Sequence, residues 1–386
     1  MPVKLSRRTR WVVPATAVTV TAAVIAGLQI QSAQAAPNLP ARTPAQLLAE
    51  VSGDASLPPL TGTMVETTSL GLPQLPQVGN PTSLSSLLTG SHTIKIYYQS
   101  GKQFRLAIPQ PESEIDVIRN GSTAWLWDST DNSVTKFELP AKDTAKHLTA
   151  KLPPLTPQQA ANEILKAVGK TTVVSVEANV MIAGEPCYQL VLAPKDHRSL
   201  IGKVTIAIDG KYGVPLRVQV FAKGSTSAAF QFGYSALQFV APAAANYDFT
   251  PPPSASVTVE NLAADSASGK SAAGEKSQTS GFGVYGTSWL TVAELPQQDL
   301  MQGFGTVPGS STSAPVTSGN GPAGVMSGDS QEVLNALIGS AKPVHGAWGS
   351  GTLLTSSLFS MLMTGGEVYI GAVEPSVLYA AVGHAS

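Results

Sequence analysis

Residues Asn120 to Pro140 read NGSTAWLWDSTDNSVTKFELP, two short strand patterns around a polar turn. Successive side chains of a strand point to opposite faces, so the first strand sets Trp125 and Trp127 on one side and Ala124 and Leu126 on the other. Both sides are apolar. An antiparallel sheet commonly keeps one face in water and polar, so this hairpin needs a cover for its second face: a helix, another sheet or a ligand.

The surrounding chain repeats the strand pattern. GTMVETTSL, TIKIYYQS, KQFRLAI and SEIDVIRN precede the hairpin, and TTVVSVEANVMI, CYQLVLA, KVTIAID, PLRVQVFA and AAFQFGYSALQFV follow it. Each is a short run of period-two apolarity bounded by turn residues, with Asp209-Gly210 as a hairpin-type turn signal. Two helices interrupt them. Thr43 caps a helix that starts at Pro44 and carries Leu47, Leu48 and Val51, and Thr156, Pro157 and Gln159 form a capping-box start before Ile164, Leu165 and Val168, with Gly169 as the stop. The pattern predicts one large antiparallel sheet with a few helices. Between the first two strands, Leu84, Leu87 and Leu88 fall at helical spacing. They form either a flap over the sheet or a loop packed on its own domain.

Composition divides the chain. Lys4, Arg7, Arg8 and Arg10, an apolar run from Trp11 to Leu28 and the Ala33-Gln34-Ala35 triplet predict a signal peptide over 1–35, cleaved after Ala35. The twin arginine leaves the general and the twin-arginine routes both open. The product is expected outside the cytoplasm. A sheet domain is expected over 36–256, a Ser, Ala, Gly and Lys-rich linker over 257–283, and a small α+β unit over 284–386. Within that unit, VYGTSWLTVAEL reads as a strand and 303–328 as low-complexity sequence. Asp329–Ala341 reads as a helix, Gly365-Gly366 as a hairpin turn, and Pro375 as the start of a last helix.

The chemistry-bearing residues argue against catalysis. The formal charge of the whole chain is -1, and the leader's four basic residues come without an acid, so the remainder is more negative still. No basic patch stands out for nucleic acid. GFGVYG at Gly281–Gly286 leads into a strand rather than a helix, and VGKTT around Lys170 lacks the earlier glycine of a phosphate loop. There is no nucleophile elbow and no zinc helix. The five histidines lack ligand spacing, and the single cysteine, Cys187, sits in an apolar strand pattern that allows no internal disulfide. No enzyme activity, metal or cofactor is expected.

The order of these elements resembles the periplasmic lipoprotein-carrier (LolA-like) family and its relatives among the MucB/RseB envelope-stress sensors, over about residues 40–257. The resemblance rests on the aromatic hairpin at Gly121–Val134, GEPCYQLVLAP at Gly184–Pro194, DGKYGVPL at Asp209–Leu216 and FTPP at Phe249–Pro252. It implies a mainly β fold, an unclosed antiparallel half-barrel covered by a few helices, enclosing an apolar cavity for acyl chains. Hydrating a sixteen-carbon chain costs roughly 10 kcal/mol at about 0.8 kcal/mol per methylene, so such a ligand crosses water only under cover. Ile96, Tyr98, Phe104, Leu106, Ile115, Val117, Trp125, Trp127 and Phe137 are the candidates for the cavity wall, with Leu84, Leu87 and Leu88 as lid; the same residues would equally serve as ordinary core. The partners implied are a lipid or lipidated protein, and a membrane-bound transporter or regulator. Carrier and envelope sensor both remain open as functions.

Overall fold

The computed structural model describes residues 37–52, 57–72, 90–139, 156–166, 169–261, 283–297 and 339–385. The leader, the lid residues Leu84, Leu87 and Leu88, the low-complexity stretch and nearly all of the helix expected over Asp329–Ala341 lie outside the described residues.

Twelve strands form one sheet: β1 (Leu60–Thr68), β2 (Gly90–Ser100), β3 (Gln103–Pro109), β4 (Glu114–Asn120), β5 (Thr123–Asp128), β6 (Ser133–Glu138), β7 (Thr172–Ile182), β8 (Glu185–Pro194), β9 (Ile201–Asp209), β10 (Pro215–Ala222), β11 (Ala228–Gln238) and β12 (Ser256–Asn261). Their order is β12-β6-β5-β4-β3-β2-β1-β11-β10-β9-β8-β7. Two meanders, β1–β6 and β7–β11, thus meet at the antiparallel β1–β11 pair. The fold is mainly β and the sheet is not closed. One pair departs from the expected pattern, since β12 runs parallel to β6 and draws residues 257–261 into the sheet rather than the linker. The Asp209-Gly210 signal also opens a longer turn than a two-residue hairpin. β9 ends at Asp209 and β10 starts at Pro215, with Asp209 Oδ2 accepting hydrogen bonds from the Lys211 and Tyr212 amides and Gly213 at φ +69°.

Helices α1 (Pro44–Ser52) and α2 (Pro157–Lys166) start where their capping residues predict. In α2 the Gln159 amide donates to Thr156 Oγ1 at 3.2 Å while the Thr156 amide donates to Gln159 Oε1 at 3.1 Å. In α1 Thr43 and Gln46 make the same reciprocal pair, at 3.2 and 2.8 Å. Two otherwise orphaned donors are satisfied at each helix start. α1 packs on β7 and β8, and α2 on β10 and β11.

Flat, twelve strands at about 4.8 Å spacing would span roughly 50 Å. Yet Ile94, Ile108 and Ile115 from one meander and Leu190, Leu192 and Ile206 from the other belong to a single apolar cluster with Leu47 and Val51 of α1. The sheet therefore curls, with this face inside.

The C-terminal unit is a second, six-stranded antiparallel sheet of β13 (Gly283–Tyr285), β14 (Val292–Pro296), β15 (Lys342–Gly346), β16 (Gly349–Thr355), β17 (Ser360–Thr364) and β18 (Glu367–Gly371), followed by α3 (Pro375–Ala385). The single strand expected over VYGTSWLTVAEL is broken in two, because Gly286 turns at φ +75° and Ser288–Leu290 forms a 3-10 turn. Gly365 and Gly366, both at positive φ, make the expected two-residue hairpin. α3 covers one face of the unit, where Val292, Leu362, Tyr369 and Leu378 are buried.

This unit docks along the sheet rim formed by the start of β7, the start of β9 and the ends of β1 and β10. Trp289 enters the main sheet's core and donates from Nε1 to Thr172 Oγ1 at 2.7 Å. The Leu200 amide donates to Ala372 O at 2.9 Å, the Glu374 amide to Arg198 O at 2.8 Å, and Lys223 pairs with Glu374 at 2.9 Å. The Ser357 amide donates to Leu70 O at 2.9 Å.

Candidate functional site

Strand registers sort the nine wall candidates by face. Tyr98 pairs with Leu60 and Phe104, Phe104 with Arg119, Arg119 with Ala124, and Ala124 with Phe137, which makes one row across β1–β6. The next row is Gly62, Ile96, Leu106, Val117, Leu126 and Thr135, and beyond it Ile108 pairs with Ile115. All of these point to the inner face. It brings together seven candidates: Ile96, Tyr98, Phe104, Leu106, Ile115, Val117 and Phe137.

Trp125 and Trp127 stand on the other face, so the nine do not form one wall. Trp125 pairs with Ile118 and Lys136, and Trp127 with Asp116 and Val134. A segment of the same chain covers them in part, and both rings stay half-buried. Phe249 lies 5.6 Å from the Trp125 ring and 6.1 Å from the Trp127 ring, within the separation of favourable aromatic pairs. Asn120 Nδ2 donates to Asp248 Oδ1 at 3.4 Å and Asn132 Nδ2 to Ser254 Oγ at 3.0 Å, which pins this strap to the hairpin. Lys136 Nζ sits 5.7 Å from the Trp125 ring centre. The residue 244–256 segment thus lies over part of the tryptophan face.

The outer face also carries charge. Arg105 donates from Nε and Nη2 to the two oxygens of Asp116 at 3.0 and 2.6 Å, and reaches Glu114 at 3.2 Å. Burial pushes Asp116 up to about 6, against the pull of Arg105. Trp127 Nε1 is buried there without a hydrogen-bond partner.

Burial on the inner face is uneven. Beneath the helices, Leu190, Leu192, Ile206, Ile208, Leu216 and Val218 are all at 0% exposure. On β2–β6 Ile96, Leu106, Ile115 and Val117 are buried, while Leu126 and the larger Tyr98, Phe104 and Phe137 remain half-buried. Helices of nine and ten residues are only about 14–15 Å long at 1.5 Å per residue, too short to cover the whole face. Desolvation raises the Tyr98 hydroxyl and, more strongly, that of Tyr234 on β11.

Two buried charged side chains interrupt this apolar face. Arg119, 2% exposed, stands between Phe104 and Ala124, donates from Nε to Gly121 O at 3.2 Å, and has its pKa lowered by burial. Glu66, 4% exposed, stands on β1 between His92 of β2 and Phe232 of β11. Sequence reasoning passed over Glu66, Arg119 and Leu126. A signal for Leu126 was present: the two-residue turn Gly121-Ser122 pairs odd-numbered residues of β4 with even-numbered residues of β5, so Val117 shares a face with Leu126 and not with Trp125. Among the described residues no cluster of His, Cys, Asp and Glu is arranged to hold a metal ion.

No family model matches the sequence, and no curated protein matches it. Among solved structures the chain is similar to MucB in the MucA/MucB complex of Pseudomonas aeruginosa, with 11% identity and a TM-score of 0.39 over 88% of this chain and 96% of that chain. It is also similar to a LolA superfamily protein from Nitrosomonas europaea, with 10% identity and a TM-score of 0.20 over 54% of this chain and 99% of that one. A lipoprotein-sorting protein domain from Vibrio parahaemolyticus, described as putative, matches with 11% identity and a TM-score of 0.18 over 50% of this chain and 90% of that chain.

Proposed function

We propose that this chain is an exported, non-catalytic binder of acyl-chain ligands, a lipid or a lipidated protein, and that the ligand lies on the inner face of β2–β6. One observation carries this reading: Tyr98, Phe104, Leu126 and Phe137 are large apolar side chains left half-buried together on β2–β6, on the same face that fully buries Leu190, Leu192, Ile206 and Ile208 on β8 and β9. Interiors pack densely, and aromatic rings lining a curled sheet beyond its helices offer an acyl chain the apolar surroundings that water denies it. Ile96, Leu106, Ile115 and Val117 form the floor beneath those rings. Leu84, Leu87 and Leu88 are the proposed lid, since their segment joins β1 to β2 at one end of the site. Trp125 and Trp127 are left out of the wall. The leader supports an extracytoplasmic location.

A second reading, an envelope sensor that reports ligand occupancy to a membrane-bound regulator, is favoured by the docking of the C-terminal unit. Trp289 and the Leu200–Ala372 and Glu374–Arg198 bonds tie that unit to a rim of the ligand-bearing sheet, so a change in the sheet can reach it. Denaturing mass spectrometry of the purified protein tests the first reading: a co-purifying acyl lipid, displaced by added long-chain ligand, is the expected result. Absence of any saturable acyl binding would end it. Capture of a membrane protein by the ligand-free form alone would favour the sensor.

A further inference from the structure

Glu66 is out of place in the inner face. Met64 two residues earlier is at 0% exposure, Ile94 is at 8%, and Phe232, directly across on β11, is at 3%. Within that apolar setting Oε1 accepts a hydrogen bond from Thr68 Oγ1, while Oε2 is buried with no hydrogen-bond partner. His92 is the titratable group facing it from β2. A buried polar atom left unpaired costs free energy that an apolar residue here would not. Oε2 is thus open to a donor from outside the described residues, and β1 borders the β2–β6 face proposed to take the ligand.

We propose that Glu66 is the polar anchor of the ligand site, and that it selects an acyl chain ending in a neutral hydroxyl or amide over one ending in a free carboxylate. The inference rests on the acyl-binding reading and deepens it. A hydroxyl or amide both donates and accepts, so it satisfies Oε2 whether the carboxyl is ionised or protonated. A carboxylate has no proton to donate. Beside an ionised Glu66 it places two like charges in a poorly solvated site, and beside a protonated one it forces the pair to share a single proton. Burial raises the pKa of Glu66, the Thr68 hydrogen bond and His92 opposing, so the neutral form is more available here than at the surface. The strand that carries Glu66 ends at Thr68, at the same rim from which the β1–β2 connection departs, so the polar head would sit at the rim and the tail would run along the Ile96 and Tyr98 rows.

The experiment is a competition series at pH 8 against a fluorescent acyl probe, using dodecanol, dodecanamide and dodecanoate on the full chain, its Glu66→Met variant and its Glu66→Gln variant. The parent should bind dodecanol and dodecanamide about tenfold or more tightly than dodecanoate. Glu66→Met should bind all three within about threefold of one another, by weakening the two neutral ligands, and Glu66→Gln, which keeps a donor and an acceptor, should retain the preference. Circular dichroism melts confirm that the variants are folded. Dodecanoate binding the parent as tightly as the neutral ligands, or Glu66→Met keeping the full preference, overturns the inference while leaving acyl binding intact. Failure of the parent to bind the fluorescent probe at all overturns the acyl-binding reading and this inference with it.

Discussion

The two halves of the inner face carry the same kind of residue and reach different ends. On β8–β10, Leu190, Leu192, Ile206 and Ile208 are fully buried beneath two short capped helices. On β2–β6, Tyr98, Phe104, Leu126 and Phe137 occupy equivalent inward positions and stay half-buried. Alternation fixes which side chains share a face, but what the chain lays over that face decides between core and ligand wall. Helices of nine and ten residues cover only part of a sheet about 50 Å wide before curling.

Truncation breaks or sharpens this contrast. Leu190→Ala or Ile206→Ala should cost about 2–5 kcal/mol in denaturant unfolding, because a sealed site loses both the buried methyls and the packing around them. Acyl affinity per folded molecule should not change. The double variant Phe104→Ala, Phe137→Ala should do the reverse, losing tenfold or more in acyl affinity at a smaller stability cost per ring than the roughly 3–5 kcal/mol of a fully buried phenylalanine, since these rings are only partly buried. Equal stability losses in the two halves would erase the distinction.

The outer face supplies a control. Trp127→Ala removes a ring contact to Phe249, and aromatic pairs contribute about 0.5–1.5 kcal/mol beyond their buried area. It should loosen the 244–256 strap, seen as faster proteolysis there, and leave acyl binding unchanged.

The smallest expected effect is a slope. An acid whose folded pKa is raised binds its proton more tightly in the folded state, so stability falls as pH climbs from the ordinary carboxylate range toward the raised value. Burial places Glu66 in this class. Glu66→Gln should flatten that part of the stability profile and be the more stable protein at pH 8; a profile superimposable on the parent's would show that Glu66 is not desolvated.

Most of the sheet was legible because period-two apolarity and turn residues leave little choice of register in short hairpins. Both helix starts followed from Thr and Gln three residues apart. The parallel β12 was not legible, since SVTVEN borders a Ser and Ala-rich stretch and its partner Ser133–Glu138 lies over a hundred residues away. The candidate wall was legible by composition and misjudged by face at one point. Two tryptophans outweighed the parity of a two-residue turn, and the cover for them, Phe249, belongs to a Pro-rich segment with no regular periodicity. Glu66 escaped notice because a glutamate in VETT reads as the solvent side of a strand, whereas its two-residue spacing from Met64 puts it on the inner face.

The most direct test is photolabelling with an acyl chain that bears a diazirine near its end, followed by peptide mapping of the crosslinks. The account predicts saturable labelling, competed by unlabelled ligand, on the inner-face residues Tyr98, Phe104, Leu126 and Phe137. Labelling concentrated on Trp125, Trp127 and Phe249, or labelling that does not saturate, would contradict it.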